Sequence, residues 1–258
     1  MRLLFGRVVN KLRRCWGGPL MPSVVDFAAK ATEELRSVYR GRSADIFFAN
    51  QGRTVHKWLH YFSIYDQLLE PYAGSNVRML EIGVSKGGSL NLWRKFFGDK
   101  AVIFGIDIDP NCAVYDGEAA KVRIGSQDDP QFLTGVVAEM GGIDVVLDDG
   151  SHVSSHQRAS FAVLFPLLEE GGLYIIEDMH TAYWPAYEGG LRRAGTAVEF
   201  LKAKIDDMHA HYQKHGMNTE DAMPDIESIQ FFDSVAVVKK RKQRPRFHLQ
   251  VPAREEQI

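Results

Sequence analysis

Residues 228–239 read SIQFFDSVAVVK, two apolar runs separated only by Asp233 and Ser234. Parallel strands need a crossover connection of a dozen or more residues, so a two-residue link can join only antiparallel strands. The two runs are therefore predicted to form an antiparallel hairpin. This hairpin decides the fold, because the chain before it has a different pattern.

Upstream of the hairpin, short apolar runs alternate with segments of helical periodicity. Strands are expected at 77–82, 102–106, 121–124, 143–147 and 173–176. Helices are expected at 89–97, 130–140 and 155–169, with Gly171 and Gly172 ending the last of them. Two further helices are expected ahead of the first strand, at 23–40 and 55–69. The alternation predicts an α/β fold with a mainly parallel, seven-stranded sheet, helices on both faces and an antiparallel end.

Composition narrows the class of protein. Of the 258 residues, 45% are hydrophobic and 25% are charged, which is typical of a globular domain. Cys15 and Cys112 are the only cysteines, and their spacing suggests neither a disulfide framework nor a metal site, so we expect a cytoplasmic protein. The net charge of −2 gives no reason to expect nucleic acid as a partner, and no run of eighteen apolar residues predicts an integral membrane segment.

The two ends differ from the central part. Residues 1–50 are interpreted as an N-terminal helical extension, 51–240 as the functional domain and 241–258 as a basic C-terminal tail. Residues 1–16 contain five basic and no acidic side chains, with apolar residues every four positions. This pattern fits a helix that packs on the domain or on a partner subunit, or one that makes a weak peripheral contact with an acidic membrane.

Residues 81–89, EIGVSKGGS, follow the first strand directly. Glycines at a strand-to-helix turn allow a ligand to approach the backbone, and the helix N-terminus offers free N–H groups. The glycine spacing differs from that of the dinucleotide fingerprint. Asp107, about 20 residues further on at the end of the second strand, is placed to bind ribose hydroxyls and would repel a 2′-phosphate. The candidate cofactor-binding residues are Glu81, Gly83, Gly87, Gly88, Ser89, Asp107, Asp109, Gln127, Asp128 and Asp148.

Acidic residues and a histidine follow the next two strands. DDGSH occupies 148–152, and Glu177 and Asp178 end the fifth strand. Neighbouring parallel strands present their carboxyl ends to one crevice, where four carboxylates would repel one another. A hard divalent cation such as Mg²⁺ would neutralise them. His152 is the candidate general base, because its usual pKa lies near working pH.

The segments EIGVSKGGSLNLW, GIDIDP, GSQDDPQFL, VVLDDGSH and IIEDMHTAYWP together resemble the sugar O-methyltransferases of the macrolide (mycinamicin-type) and tetracenomycin rhamnosyl family. The resemblance covers about 53–240. It implies a Rossmann-like class I methyltransferase fold, S-adenosylmethionine as methyl donor, and a divalent metal held by Asp149, Glu177 and Asp178. It further implies His152 and Asp149 as catalytic residues, a sugar hydroxyl as acceptor on a deoxysugar glycoside or a glycan, and a homo-oligomer. Candidate substrate residues are Lys57, His60, Tyr61 and Tyr183.

Several alternatives remain open at this point. A metal-dependent catechol-type O-methyltransferase would use the same chemistry, because vicinal phenol hydroxyls chelate a cation as sugar diols do. A non-catalytic S-adenosylmethionine-binding subunit would share the fold. A nicotinamide oxidoreductase is disfavoured by the glycine spacing and the closing hairpin, and no two-histidine-one-carboxylate pattern supports iron-dependent oxygen chemistry.

Overall fold

The structure is a computed structural model that describes residues 29–212, 223, 225–242 and 244–251. It divides into two compact units, Met1–Arg40 and Gly41–Ile258. In the first unit the described residues form helix α1 (Ala29–Val38), within the predicted helix 23–40. The basic segment 1–16, predicted as an amphipathic helix, lies outside the described residues.

The second unit is built on one seven-stranded sheet. Its strands are β1 (Arg78–Ile82), β2 (Val102–Asp107), β3 (Lys121–Ile124), β4 (Ile143–Asp148), β5 (Leu168–Ile176), β6 (Ile226–Phe232) and β7 (Val235–Lys240). Their order across the sheet is β3-β2-β1-β4-β5-β7-β6. The first five strands pair in parallel, whereas β7 is antiparallel to both β5 and β6. The predicted hairpin is confirmed, and it inserts its second strand beside β5.

Helices cover both faces of this sheet. They are α2 (Arg42–Phe48), α3 (Tyr61–Leu69), α4 (Gly88–Phe97), α5 (Pro130–Met140), α6 (Ser154–Leu167) and α7 (Ala197–Met208). Because side chains alternate along a strand, Met79 joins the buried cluster that contains Trp93 of α4, while Leu80 joins the cluster that contains Phe161 of α6. Both clusters are apolar, which confirms the prediction that helices pack on both sides.

Two predicted boundaries are wrong. The helix predicted over 55–69 begins only at Tyr61, and residues 54–58 are irregular. Lys57 explains the difference, because its ammonium reaches acids at the sheet edge. The helix predicted to extend to 169 ends at Leu167, and β5 begins at Leu168. Gly171 therefore lies inside an irregular strand rather than at a helix end, since Leu168 already pairs with Ile143 across a register shift.

Helix α2 packs within the second unit, although it precedes residue 51. Ser43 donates its backbone N–H to Asp66 of α3, 2.9 Å away, and its hydroxyl to the Phe62 carbonyl. Ala44 is fully buried in the same apolar cluster as Trp93. The described part of the tail includes an ion pair between Arg244 and Glu170. Within the described ranges, no helix combines the length and apolar character needed to cross a bilayer.

Candidate active site

The carboxyl ends of the parallel strands open into a cavity of about 270 Å³. Open α/β sheets bind their ligands at this edge. Four chain segments enclose the cavity: residues 54–58 and the loops after β1, β4 and β5. Half of the predicted site residues line it: Lys57, Tyr61, Gly83, Gly88, Ser89, Asp149, His152, Glu177 and Asp178.

The loop after β1 is held close to its neighbours by backbone contacts. Gly83 has φ +97°, and a Cβ atom there would lie 2.1 Å from the carbonyl oxygen of Asp149. Asp107 accepts a hydrogen bond from the backbone N–H of Ser85 (2.9 Å) through one carboxylate oxygen, and one from Asp109 (2.9 Å) through the other. Asp107 therefore fixes the loop that the sequence predicted to hold the cofactor.

Glu81 lies beneath this loop rather than in it. Its side chain is fully buried, and it accepts hydrogen bonds from Ser89 Oγ (2.8 Å) and Trp93 Nε1 (3.0 Å). Burial raises the pKa of Glu81 to about 7, and the ammonium of Lys57 opposes that rise. The residue joins the end of β1 to the first turns of α4, so the structure indicates a supporting role for it.

Four other predicted cofactor residues have protein partners of their own. Asp148 is fully buried and accepts from Ser160 Oγ at 2.9 Å. Gln127 donates to Asp148 and accepts from the Ser151 backbone N–H. Asp128 bonds Ser126, and Asp109 caps the short 3-10 helix Pro110–Tyr115. None of the four lines the cavity, and their contacts with a cofactor stay predictions.

The catalytic candidates form a compact group. His152 Nε2 lies 3.6 Å from Asp178 Oδ2 and 3.9 Å from Asp149 Oδ1. One donor atom from each of these three residues falls within 4.8 Å of the other two, a spacing suited to a metal ion. His152 Nδ1 is buried without a hydrogen-bond partner. The sequence-predicted convergence of histidine and acids is thus present in the structure.

Glu177 stands apart from that group. It is buried, and it accepts a hydrogen bond from Tyr65 OH at 2.5 Å. Lys57 Nζ lies 2.9 Å from both of its oxygens and 2.6 Å from Asp149 Oδ2. The side chain of Lys57 is only 3% exposed, so this is a buried ion-pair cluster. Although burial alone would lower the pKa of Lys57, Asp149 and Glu177 raise it above its ordinary value, which keeps the ammonium charged.

Tyr61 joins this site to the hairpin. Its hydroxyl donates to Asp178 Oδ1 at 2.7 Å and lies 2.9 Å from Ser234 Oγ, in the β6–β7 turn. Ser234 also contacts the imidazole of His180. Sequence reasoning missed Ser234 and Tyr65. Tyr65 follows Tyr61 by four residues on one helix face and could have been found from that spacing, whereas the role of Ser234 depends on tertiary contact alone.

Aromatic side chains surround the mouth of the site. Trp58, which lines the cavity, lies 6.1 Å from the His180 ring, and His180 lies 4.7 Å from Trp184. Two of the predicted substrate residues lie further out. His60 contacts the Asp233 carbonyl, and Tyr183 is 48% exposed; neither lines the cavity.

The backbone is strained at three points of the cavity wall. Ser85, His152 and Asp178 have φ values of +51°, +58° and +54°, in the left-handed region that residues with a Cβ rarely adopt. Such conformations persist only where surrounding contacts impose them, and they cluster at functional sites. Here the strained residues His152 and Asp178 place an imidazole and a carboxylate beside one another.

The chain is similar to known methyltransferases. Residues 80–179 match the family model of a methyltransferase domain. The chain is 39% identical over 184 residues to L-olivosyl-oleandolide 3-O-methyltransferase of Streptomyces antibioticus, covering 64% of this chain and 46% of that protein. It is 37% identical over 196 residues to mycinamicin VI 2''-O-methyltransferase of Micromonospora griseorubida, covering 71% and 49%. Over its matched part, the chain is therefore similar to O-methyltransferases that carry these names.

A solved methyltransferase structure supports the fold. The MycE methyltransferase of mycinamycin biosynthesis, in complex with Mg, SAH and mycinamycin VI, is 34% identical with a TM-score of 0.66. The match covers 82% of this chain and 53% of MycE. The chain spans about half the length of the curated relatives it matches, between 41% and 52%.

Proposed function

We propose that this chain transfers a methyl group from S-adenosylmethionine to a sugar hydroxyl of a glycoside or glycan, with a divalent cation at the site. One observation carries the proposal. His152, Asp149 and Asp178 converge within 4.8 Å beside the glycine loop that Asp107 fixes. The names of the relatives supply the acceptor class, because they act on olivosyl, rhamnosyl and mycinamicin sugars.

The donor site is the cavity between the glycine loop and segment 54–58. Gly83 permits the loop to lie directly against Asp149, and Gly88 lets the start of α4 approach the Thr54 carbonyl. S-adenosylmethionine, when bound, supplies a methyl group already activated by its positive sulfur. The residues of this chain therefore have to position the acceptor and remove its proton, and positioning alone contributes much of the rate in such reactions.

His152 is the proposed general base. Its imidazole is near two carboxylates, which stabilise the imidazolium that forms when it accepts a proton. The left-handed backbone at His152 directs the ring into the cavity rather than along α6. Asp149 is proposed as the second catalytic residue, because it contacts both His152 and Lys57.

A divalent cation, with Mg²⁺ as the expected ion, is proposed to be held by Asp149, Glu177 and Asp178. Asp149 and Asp178 offer carboxylate oxygens within 4.8 Å of one another, an oxygen pair that fits such an ion, and Glu177 shares Lys57 Nζ with Asp149. When bound, the cation supplies positive charge that makes an alcohol easier to deprotonate. A homo-oligomeric state and a cytoplasmic location are also proposed, on the resemblance to the family and on a cysteine spacing that suggests no disulfide framework.

Calorimetry tests the donor site. We expect micromolar S-adenosylmethionine binding by the wild-type chain and its loss in Asp107→Ala, because that variant frees the loop from the Ser85 contact. Methyl transfer is then assayed on rhamnosides, other glycosides and catechols. Turnover of catechols alone would contradict the sugar assignment, and absence of S-adenosylmethionine binding would contradict the whole proposal.

A histidine pair tests the base. His152→Ala is expected to lower kcat at least about a hundredfold, the usual contribution of a general base, while S-adenosylmethionine binding stays unchanged. His156→Ala is the matched control, because its ring bonds Ser151 Oγ (2.9 Å) and lies beyond the cavity lining. Equal turnover in both variants would rule out His152 as the base.

A further inference from the structure

The ammonium of Lys57 forms ion pairs with Asp149 and Glu177, two of the three residues proposed to hold the cation. This ammonium lies 2.6 Å from Asp149 Oδ2 and 2.9 Å from both carboxylate oxygens of Glu177. Among the described residues, the Glu177 carboxylate accepts hydrogen bonds only from Lys57 and Tyr65. A divalent cation on the same carboxylates would meet this ammonium in a nearly dry environment, where like charges repel strongly.

The position of Lys57 depends on the segment that carries it. Residues 53–60 form the second part of the connection between α2 and α3, and the Lys57 ammonium is the contact through which this segment reaches Asp149 and Glu177. Both ends are held separately: Arg53 forms an ion pair with Glu118 and lies 4.4 Å from the Tyr115 ring centroid, and His60 Nε2 lies 3.2 Å from the Asp233 carbonyl. Releasing Lys57 would therefore loosen the middle of the segment.

We propose that Lys57 is a competitor of the divalent cation, so that cation binding displaces its ammonium and loosens segment 53–60. The competition is reciprocal, because two ligands that exclude one another weaken each other's binding by the same factor. Segment 53–60 also lines the donor cavity through Thr54, Val55, His56 and Trp58. Cation binding thereby alters the wall of the donor cavity. This inference rests on the proposed cation site at Asp149, Glu177 and Asp178.

Metal affinity is the first measurement, with free Mn²⁺ followed by electron paramagnetic resonance during titration of the full chain. Lys57→Met is expected to bind Mn²⁺ about tenfold or more tightly than wild type, since couplings of this kind span about 5–150-fold. Lys57→Arg keeps the charge and should not gain affinity. Lys86→Met is the matched control, because Lys86 is exposed in the same cavity and contacts neither Asp149 nor Glu177.

The second measurement uses the wild-type chain, so that it stays decisive if Lys57→Met does not fold. Amide hydrogen exchange in residues 53–60 is expected to become faster when Mn²⁺ is added, while exchange in α7 stays the same. Unchanged or slower exchange in 53–60 would overturn the inference, as would unchanged or weaker Mn²⁺ binding by folded Lys57→Met.

The two proposals fail differently. Mn²⁺ binding that is lost in Asp149→Asn but unaffected by Lys57→Met would support the cation site and overturn the competition. Absence of Mn²⁺ binding in both wild type and Lys57→Met would overturn the cation site and the competition together.

Discussion

At the scale of single residues, the site combines several groups whose burial is costly. Glu81, Glu177 and Lys57 are all nearly inaccessible, and each is stabilised by specific partners rather than by water. Burial also raises the pKa of Glu177, although Lys57 and Tyr65 oppose the rise. A buried carboxylate that loses its partner is strongly destabilising, so these residues constrain one another.

Glu81 predicts a pH dependence of stability. Its pKa is about 7 in the folded chain against an ordinary value of 4.5, so between these pH values the unfolded state has lost the proton that the folded state keeps. Stability should therefore fall as pH rises from about 4.5 to about 7, by about 3 kcal/mol from this group. Glu81→Gln, neutral in both states and able to bond Ser89 and Trp93, should lack this fall. Urea denaturation of both proteins at several pH values checks it, and parallel profiles would contradict it.

Substitution of Gly83 is expected to reduce both stability and cofactor binding. Gly83→Ala places Cβ against the Asp149 carbonyl, at a φ that alanine rarely adopts. Gly74→Ala is the control, because Gly74 has φ +73° with nothing near its Cβ position and so carries the backbone strain alone. We expect Gly74→Ala to cost about 1 kcal/mol, and Gly83→Ala to cost about 1–3 kcal/mol more through overpacking. Equal free energies of unfolding would show that the loop can move away from Asp149.

At the scale of elements, α5 and α7 begin at short polar side chains that cap them. Asp129 accepts hydrogen bonds from the backbone N–H groups of Gln131 (2.9 Å) and Phe132 (3.1 Å) at the start of α5. Thr196 caps α7 in the same way. In α6 the N-cap residue is Val153, which offers no side-chain acceptor. In its first turn the Ser155 backbone N–H instead donates to the distant Glu188 side chain, 3.1 Å away.

The adjacent residues Asp128 and Asp129 allow helix capping and ligand binding to be tested separately. Asp129→Ala should lower the free energy of unfolding by about 1 kcal/mol, as loss of an N-cap does, and leave S-adenosylmethionine affinity unchanged. Asp128→Ala should lower S-adenosylmethionine affinity if its predicted cofactor contact is correct. It should leave the free energy of unfolding unchanged, because its partners Ser126 and His156 are exposed. Thermal denaturation and calorimetry of the two variants compare them directly, and equal S-adenosylmethionine affinity in Asp128→Ala and wild type would remove Asp128 from the donor site.

At the scale of the whole molecule, the sheet links the site to the core on both faces. Strands β1, β4 and β5 carry the acids at their carboxyl ends, while their side chains enter two separate apolar clusters. The β6–β7 turn reaches the same site through Ser234. Ligand binding at this edge should therefore stabilise the second unit as a whole.

That linkage can be measured by thermal unfolding. S-adenosylmethionine at a hundred times its Kd should raise the stability of the wild-type chain by about 2.7 kcal/mol, provided that it binds only the folded state. Asp107→Ala at the same concentration should show no increase. A ligand-independent melting temperature in the wild-type chain would mean that the cavity is not the donor site.

Local pattern determined much of this protein from the sequence alone. The alternation of apolar runs fixed the parallel strands, because side chains repeat every two residues in a strand and every 3.6 in a helix. The two-residue link at Asp233 and Ser234 allowed only a hairpin. Acids that end neighbouring strands had to meet at one edge. These inferences depend only on spacing along the chain.

Tertiary structure decided what spacing could not. Residues 55–60 have a helical apolar pattern, but the ion pairs of Lys57 with Asp149 and Glu177, 92 and 120 residues away, outweigh local helix propensity. Contacts between distant residues likewise turned Asp148 toward Ser160 and joined Ser234 to Tyr61. Packing in three dimensions determines partners of this kind, because a charged group in a dry interior must be paired with a group that the fold brings near it.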